Sequence, residues 1–322
     1  MIVAIDESGS FALDSTGLHF FAAVHLRQWK TLYDIKQHQF SYWEAGLSRS
    51  IKNAKGEIKS SALSDQQLSD FARRVICQQP YVRITPYAFS PASNPAAIVE
   101  KHRAVIVMEI HRGRDMYAAE GKAAIARTLD EAANWVKKLN YAQIVKIIVL
   151  GSCIFEALVN SIGHSVSGRY DEELAELRFL IDRDFIRQPR HNLFWLETIL
   201  RNLIYGASKE NPIPVLEAWE EQNHPFLAKY HRDGEFDFNE LFWQRCAFVS
   251  SHDHFEIRVA DAVNTILFRF LNDRGCGEAY RLLSDCFCGD NRVHGLILND
   301  VDLDSYRWRR TAISDPTSSG RY

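Results

Sequence analysis

The N-terminal run Ile2-Val3-Ala4-Ile5 is apolar and rich in β-branched residues, and it stops abruptly at Asp6-Glu7-Ser8-Gly9. Such a run predicts a buried strand, ended by turn residues, that delivers Asp6 to the edge of a sheet where a carboxylate can face solvent or a ligand. A chain that opens this way builds its sheet around its first strand. Three further acids stand at comparable punctuation points: Glu57 in Gly56-Glu57-Ile58-Lys59-Ser60-Ser61, Asp182 after Phe179-Leu180-Ile181, and Asp261 in Arg258-Val259-Ala260-Asp261-Ala262-Val263.

The rest of the chain supplies partners for that strand. Leu18 to Val24 predicts an antiparallel return, and Trp29 to Trp43 has apolar residues near helical spacing. Ser64-Asp65-Gln66-Gln67 resembles a capping box for a helix bearing Leu68, Phe71, Val75 and Ile76, ended by Pro80. Tyr81 to Phe89 predicts a third strand, with Pro86 suggesting an edge position or a bulge. Residues 95–170 are mostly helical in character, including Lys146 to Leu150, whose short apolar run could also form a strand. Glu176 to Ile181 predicts a strand ending at Asp182, and Leu193 to Tyr205 an amphipathic helix. Residues 219–242 turn polar and aromatic, as a surface insertion would. Cys246 to Val249 is a short strand. Asp253, with Glu256 three residues on, predicts the cap of a helix running through Phe270. On that helix Ile257, Asp261, Asn264 and Phe268 share one side. The expected organisation is one α/β domain over 1–298, followed by a polar tail over 299–322.

Composition narrows the partners. A formal charge of −3 over 322 residues carries no global positive field, so nucleic-acid binding would rest on local patches. Arg73-Arg74, Arg112 with Arg114, Lys137-Lys138 and Tyr306-Arg307-Trp308-Arg309-Arg310 are candidates, the last for its aromatic interleaving. No uninterrupted apolar run is long enough to span a bilayer, and no signal-peptide pattern opens the chain, which leads us to expect a cytoplasmic protein without membrane association. Cys276, Cys286, Cys288 and His294 lack the spacing of a paired CxxC zinc site, so the thiols are expected to be inert.

Four carboxylates contributed by strand ends and a helix are what a paired-cation site requires. Oxygen donors suit Mg²⁺ or Mn²⁺, held roughly 3.5–4 Å apart in sites that cleave phosphodiesters. Asp184 rivals Asp182 as a ligand, and His252 or His254 could serve as acid or base, although cap and surface roles suit them better.

In order, Ile5-Asp6-Glu7-Ser8-Gly9, Glu57-Ile58-Lys59-Ser60, the hydrophobic run into Asp182-Arg183, and Val259-Ala260-Asp261 resemble the motifs of a bacterial and phage family catalogued as domain of unknown function 3800. The resemblance covers residue 1 to about Phe270. It implies an RNase H-like or integrase-like core: a mixed sheet flanked by helices, with a large helical insertion. It implies that Asp6, Glu57, Asp182 and Asp261 form a metal site for Mg²⁺ or Mn²⁺, with Glu7 as an accessory acid and Lys59 positioning phosphate. The implied function is a divalent-metal-dependent nuclease in mobile-element or antiphage defence, acting on nucleic acid, with a partner protein from the same operon and self-association left open. The alternative is a catalytically silent nucleic-acid- or protein-binding module. Where the family has Leu-Gln before Ala-Asp, this chain has Arg258-Val259.

Overall fold

The computed structural model describes residues 1–27, 31–48, 51–52, 58–78, 82–168, 171–183, 198–201, 203–204, 224–232, 235–288 and 293–300. In chain order the elements are β1 (Ile2–Ser8), β2 (His19–Leu26), α1 (Thr31–Ala45), α2 (Asp65–Phe71), β3 (Val82–Phe89), α3 (Ala96–Ala119), α4 (Ala123–Lys138), α5 (Tyr141–Gly168), α6 (Asp171–Ala175) and β4 (Arg178–Asp182). There follow α7 (Pro225–Tyr230), β5 (His231–Arg232), β6 (Glu235–Phe236), α8 (Phe238–Arg245), β7 (Cys246–Val249), α9 (Phe255–Leu271), α10 (Gly277–Ser284) and β8 (His294–Leu296).

The chain is α/β, and its main sheet has six strands in the order β7-β4-β1-β2-β3-β8. β1, β2 and β3 form an antiparallel meander, with Ile2 opposite Leu26 and His19 opposite Phe89. β4 joins the other side of β1 in parallel, and β7 joins β4 in parallel. β1 is therefore central, as its unbroken apolar run requires: a strand covered on both faces needs apolar residues at every position.

The pleat of β1 divides the core in two. Val3 and Ile5 enter a hydrophobic cluster with α3, α4 and α5, whereas Ile2 and Ala4 enter a second one with α1, α2, α9 and α10. The helical stretch expected around 95–170 is thus a full layer of the core. Lys146 to Leu150 lies within α5, settling that ambiguity as helix. Part of α5, Tyr141–Gly163, is long and apolar enough to cross a bilayer, with Lys146 and Glu156 its charged residues, and 67% of its most apolar window is buried inside the molecule. The expectation that no such run exists is corrected to that extent.

Other differences have local causes. Ser64 forms the expected capping box with Gln67, but the helix runs on from Phe71 through a wider turn of π type over Ala72–Ile76. Pro86 causes no bulge. It keeps register opposite Ala22, in a strand whose outer side meets β8 only from Tyr87 to Phe89. α9 begins one residue later than expected: His254, not Asp253, occupies the cap position and offers no side-chain hydrogen bond. Pro80, Asn211 to Leu216 and residues 301–322 lie outside the described residues, and of Leu193 to Tyr205 only 198–201 and 203–204 are described, as helix.

The surface insertion expected over 219–242 needs the largest correction. Where described, it is a helix, a small hairpin and a second helix whose Phe226, Tyr230, Phe236, Leu241 and Phe242 are buried in the same cluster as α5. Phe242 packs against Phe179 of β4 with ring centroids 5.3 Å apart. A polar and aromatic composition looks like surface when the aromatics cannot be assigned a neighbour. Here the neighbour is a strand some sixty residues earlier. Phe242→Ala should cost about 3–5 kcal/mol of unfolding free energy by denaturant titration; wild-type stability would return this segment to the surface.

Candidate functional site

Asp6 is the sixth residue of a chain segment whose alternation is already set by Ile2 and Ala4. Period two sends its side chain to the face covered by α9. On β4, Leu180 occupies that same face and Asp182 follows it two residues on. Ile5 pairs in parallel with Ile181, the last pair of that ladder, so Asp6 and Asp182 both follow directly after it on the two neighbouring strands. Neighbouring strands thus bring two acids to one face of the sheet, each only 6% exposed.

The third acid comes from above. α9 crosses this face, and Asp261 sits on it, half-buried, held by the segment that precedes α2. The Ser60 amide donates to Asp261 Oδ2 at 3.2 Å, and the Ser60 hydroxyl donates to the Asp261 carbonyl at 3.1 Å and meets the Thr265 hydroxyl at 2.6 Å. Arg258 does not serve Asp261. Its guanidinium pairs with Glu44 at 2.6 Å and lies over the Phe40 ring. Ser60 brings the tail of the Glu57-Ile58-Lys59 motif to the site: Ile58 is buried and Lys59 is exposed next to the stitch. Glu57 and Asp184 lie outside the described residues.

The electrostatics follow from burial. The Asp6 carboxyl is held well above the usual carboxylate range, first because it is removed from water, then by the charges of Asp261, Glu7 and Asp182. One backbone hydrogen bond opposes this, from the Glu7 amide to Asp6 Oδ1 at 2.8 Å. Desolvation and like charge act together, a combination typical of sites that bind cations or transfer protons.

Glu7 takes the other face. It follows Val3 and Ile5, and its carboxylate accepts from Lys146 Nζ of α5 at 3.0 Å. Lys146 also lies 5.5 Å from the centre of the Phe11 ring. Beside them His19 is 2% exposed, its ring centre 5.0 Å from that of Phe11, with neither ring nitrogen hydrogen-bonded among the described residues. Gly9 makes this packing feasible: its φ is +112°, and a Cβ there would fall 2.1 Å from His19 Nδ1. Burial, with Lys146 nearby, pushes the His19 pKa down to about 4.

One amide on α9 was legible only in part. Asn264 is fully buried, one helical turn beyond Asp261, and its Nδ2 donates to the Asp6 carbonyl at 2.8 Å and to the Ala260 carbonyl at 3.2 Å. Its Oδ1 is buried without a hydrogen-bond partner. The sequence signal was a polar amide three residues after Asp261 in an apolar helix. Lys146 had a similar signal, a single charge in Ile144-Val145-Lys146-Ile147-Ile148.

The two histidines expected as candidates stand apart. His254 begins α9 seven residues before Asp261, about 10 Å along the axis, and faces Glu256 at 3.7 Å; His252 is exposed. Glu256 itself is buried and accepts from the Tyr33 hydroxyl. The six cysteines are free thiols.

The donors at Asp6, Asp182, Asp261 and Asn264 are all oxygens, which is the chemistry of a hard divalent cation, and the orphaned Asn264 Oδ1 is an acceptor in want of a partner. The carboxylates alone do not complete a set. Among the described residues, no group of three or more His, Cys, Asp or Glu side chains is spaced to hold an ion. Compared with protein-family models, curated proteins and solved structures, the chain finds no match.

Two outcomes test the electrostatics. The folded-state pKa of Asp6 lies above its unfolded value, so its ionisation weakens the fold as pH rises past about 3.8. Asp6→Asn should therefore raise the thermal midpoint of metal-free protein at pH 7, and the gain should vanish below pH 3.8; a lower midpoint at pH 7 would contradict the placement. For His19 the sign is opposite. Its folded pKa of about 4 lies below the ordinary 6.5, so stability present at neutral pH is lost, by up to about 3 kcal/mol, as pH falls between these values. Imidazole NMR should find this ring neutral at pH 5, where an ordinary histidine is protonated.

Proposed function

We propose that the chain is a divalent-metal-dependent nuclease with an RNase H-like core, related to the family its motifs resemble. The observation that carries this reading is the convergence, on one face of the sheet, of the carboxyl groups from β1, β4 and α9, with Asp6 buried among like charges. The topology supports the fold part: an antiparallel meander extended at β1 by two parallel strands, with a C-terminal helix laid across the acids.

Asp6, Asp182 and Asp261, with Glu57 from the segment anchored at Ser60, would hold Mg²⁺ or Mn²⁺. A bound cation would supply Lewis-acid activation of water and neutralise charge developing on a phosphodiester. The chain's own contribution is positional. β1 and β4 fix two carboxyl groups through sheet register, and α9 fixes the third through the Ser60 stitch. Lys59 and Arg183 are exposed beside the cluster, placed to draw in a phosphate backbone. Lys146 of α5 pairs with Glu7 on the opposite face of the sheet and holds that side chain away from the α9 face. The preferred partner is therefore nucleic acid, with Mg²⁺ or Mn²⁺ as cofactor.

A second reading, a silent binding module that kept the fold, draws on one observation: the described carboxylates are not spaced to hold an ion by themselves. Incubation with single- and double-stranded DNA, RNA and hybrids in Mg²⁺ or Mn²⁺ separates the two. Cleavage by the wild type that falls at least about a hundredfold in Asp6→Asn and Asp182→Asn is the expected result. Equal activity in wild type and variants would overturn the assignment, and no cleavage together with nucleic-acid binding would favour the second reading.

A further inference from the structure

The interior of α9 contains a polar group that packing alone does not explain. Asn264 is wholly buried in a helix whose neighbouring positions, Val263, Ile266 and Leu267, are core. Its amide orientation is determined, because both groups that Nδ2 contacts, the Asp6 and Ala260 carbonyls, are acceptors only. Oδ1 is consequently turned away from both, buried and without a hydrogen-bond partner. Within one amide Oδ1 and Nδ2 are little more than 2 Å apart, so Oδ1 stands within about 5 Å of the Asp6 carbonyl. An unsatisfied buried acceptor weakens the fold, and an apolar residue of the same shape would avoid that penalty.

Asp261 precedes Asn264 by three residues and so shares its helix face, while Asp6 is bonded to Asn264 through its own backbone. The orphaned oxygen therefore lies within about 5 Å of the Asp6 carbonyl, on a residue that shares its helix face with Asp261. The described carboxylates lack a complete set of donors, and an amide oxygen is a good ligand for a hard cation that adds no further charge repulsion.

We propose that Asn264 Oδ1 is an uncharged oxygen ligand of the cation site at Asp6, completing a donor set that the described carboxylates do not close. This rests on the metal-dependent reading of the site. Asn264 also ties α9 to β1, so a single side chain both donates to the strand and faces the ion.

The test is Mn²⁺ binding to the full chain, by calorimetry and by the Mn²⁺ electron paramagnetic resonance signal, with thermal midpoints measured without metal. Wild type should bind, and Asp6→Asn should not. Asn264→Leu, similar in volume, should weaken Mn²⁺ at least tenfold. Asn264→Asp should keep or tighten Mn²⁺ binding while lowering the metal-free midpoint, because it adds a carboxylate facing the Asp6 carbonyl. A purely structural role predicts instead that Asn264→Asp harms both. Asn264→Leu binding Mn²⁺ like wild type would overturn the inference while leaving the nuclease reading intact. No Mn²⁺ binding by wild type overturns both. If Asn264→Leu does not fold, Asn264→Asp decides alone: weaker binding than wild type sinks the proposal.

Discussion

A carboxyl group removed from water beside other carboxyl groups is the constraint on which this structure turns. Asp6 is the last buried residue of β1, and its environment raises the energy of its own charge. Nothing in packing requires an acid there; an apolar residue would extend the run Ile2 to Ile5 without penalty. Stability is being given up at this point, and that is the usual mark of a place where a protein does something other than fold.

The two-layer core is what makes the placement possible. With α3, α4 and α5 on one face and α1, α2, α9 and α10 on the other, β1 has no solvent-facing side except at its end. Successive residues at that end must then enter different environments. Asp6 meets α9 and the acids, and Glu7 meets Lys146 beside Phe11 and His19. The adjacent carboxylates Asp6 and Glu7, which look like one acidic pair in the sequence, are separated by the sheet itself.

α9 is registered on the sheet through polar contacts as well as apolar ones. Ser60 fixes Asp261 from one side, and Asn264 fixes the Asp6 backbone from the other. Hydrophobic packing is tolerant of sliding by a fraction of a turn, whereas hydrogen bonds of about 3 Å are not. Positioning a carboxylate therefore relies on these few bonds, while the surrounding Ile257, Val259, Val263 and Ile266 supply the burial that strengthens them.

Much of the architecture was legible in local pattern. The first strand, its antiparallel return, the capping box at Ser64 and the apolar helix carrying Asp261 each depend on near neighbours in the chain, so periodicity and turn chemistry suffice to find them. What local pattern could not supply was partnership. The aromatics between 224 and 242 are core because β4 and α5 meet them, and Asp253 loses the cap because the preceding turn places His254 there. The acids at 6, 182 and 261 were visible one at a time from the residues around them. That Asp6 and Asp182 come to one face of the sheet, that Glu7 faces away, and that Asn264 joins them was decided by strand register and helix placement, which depend on contacts between segments more than a hundred residues apart.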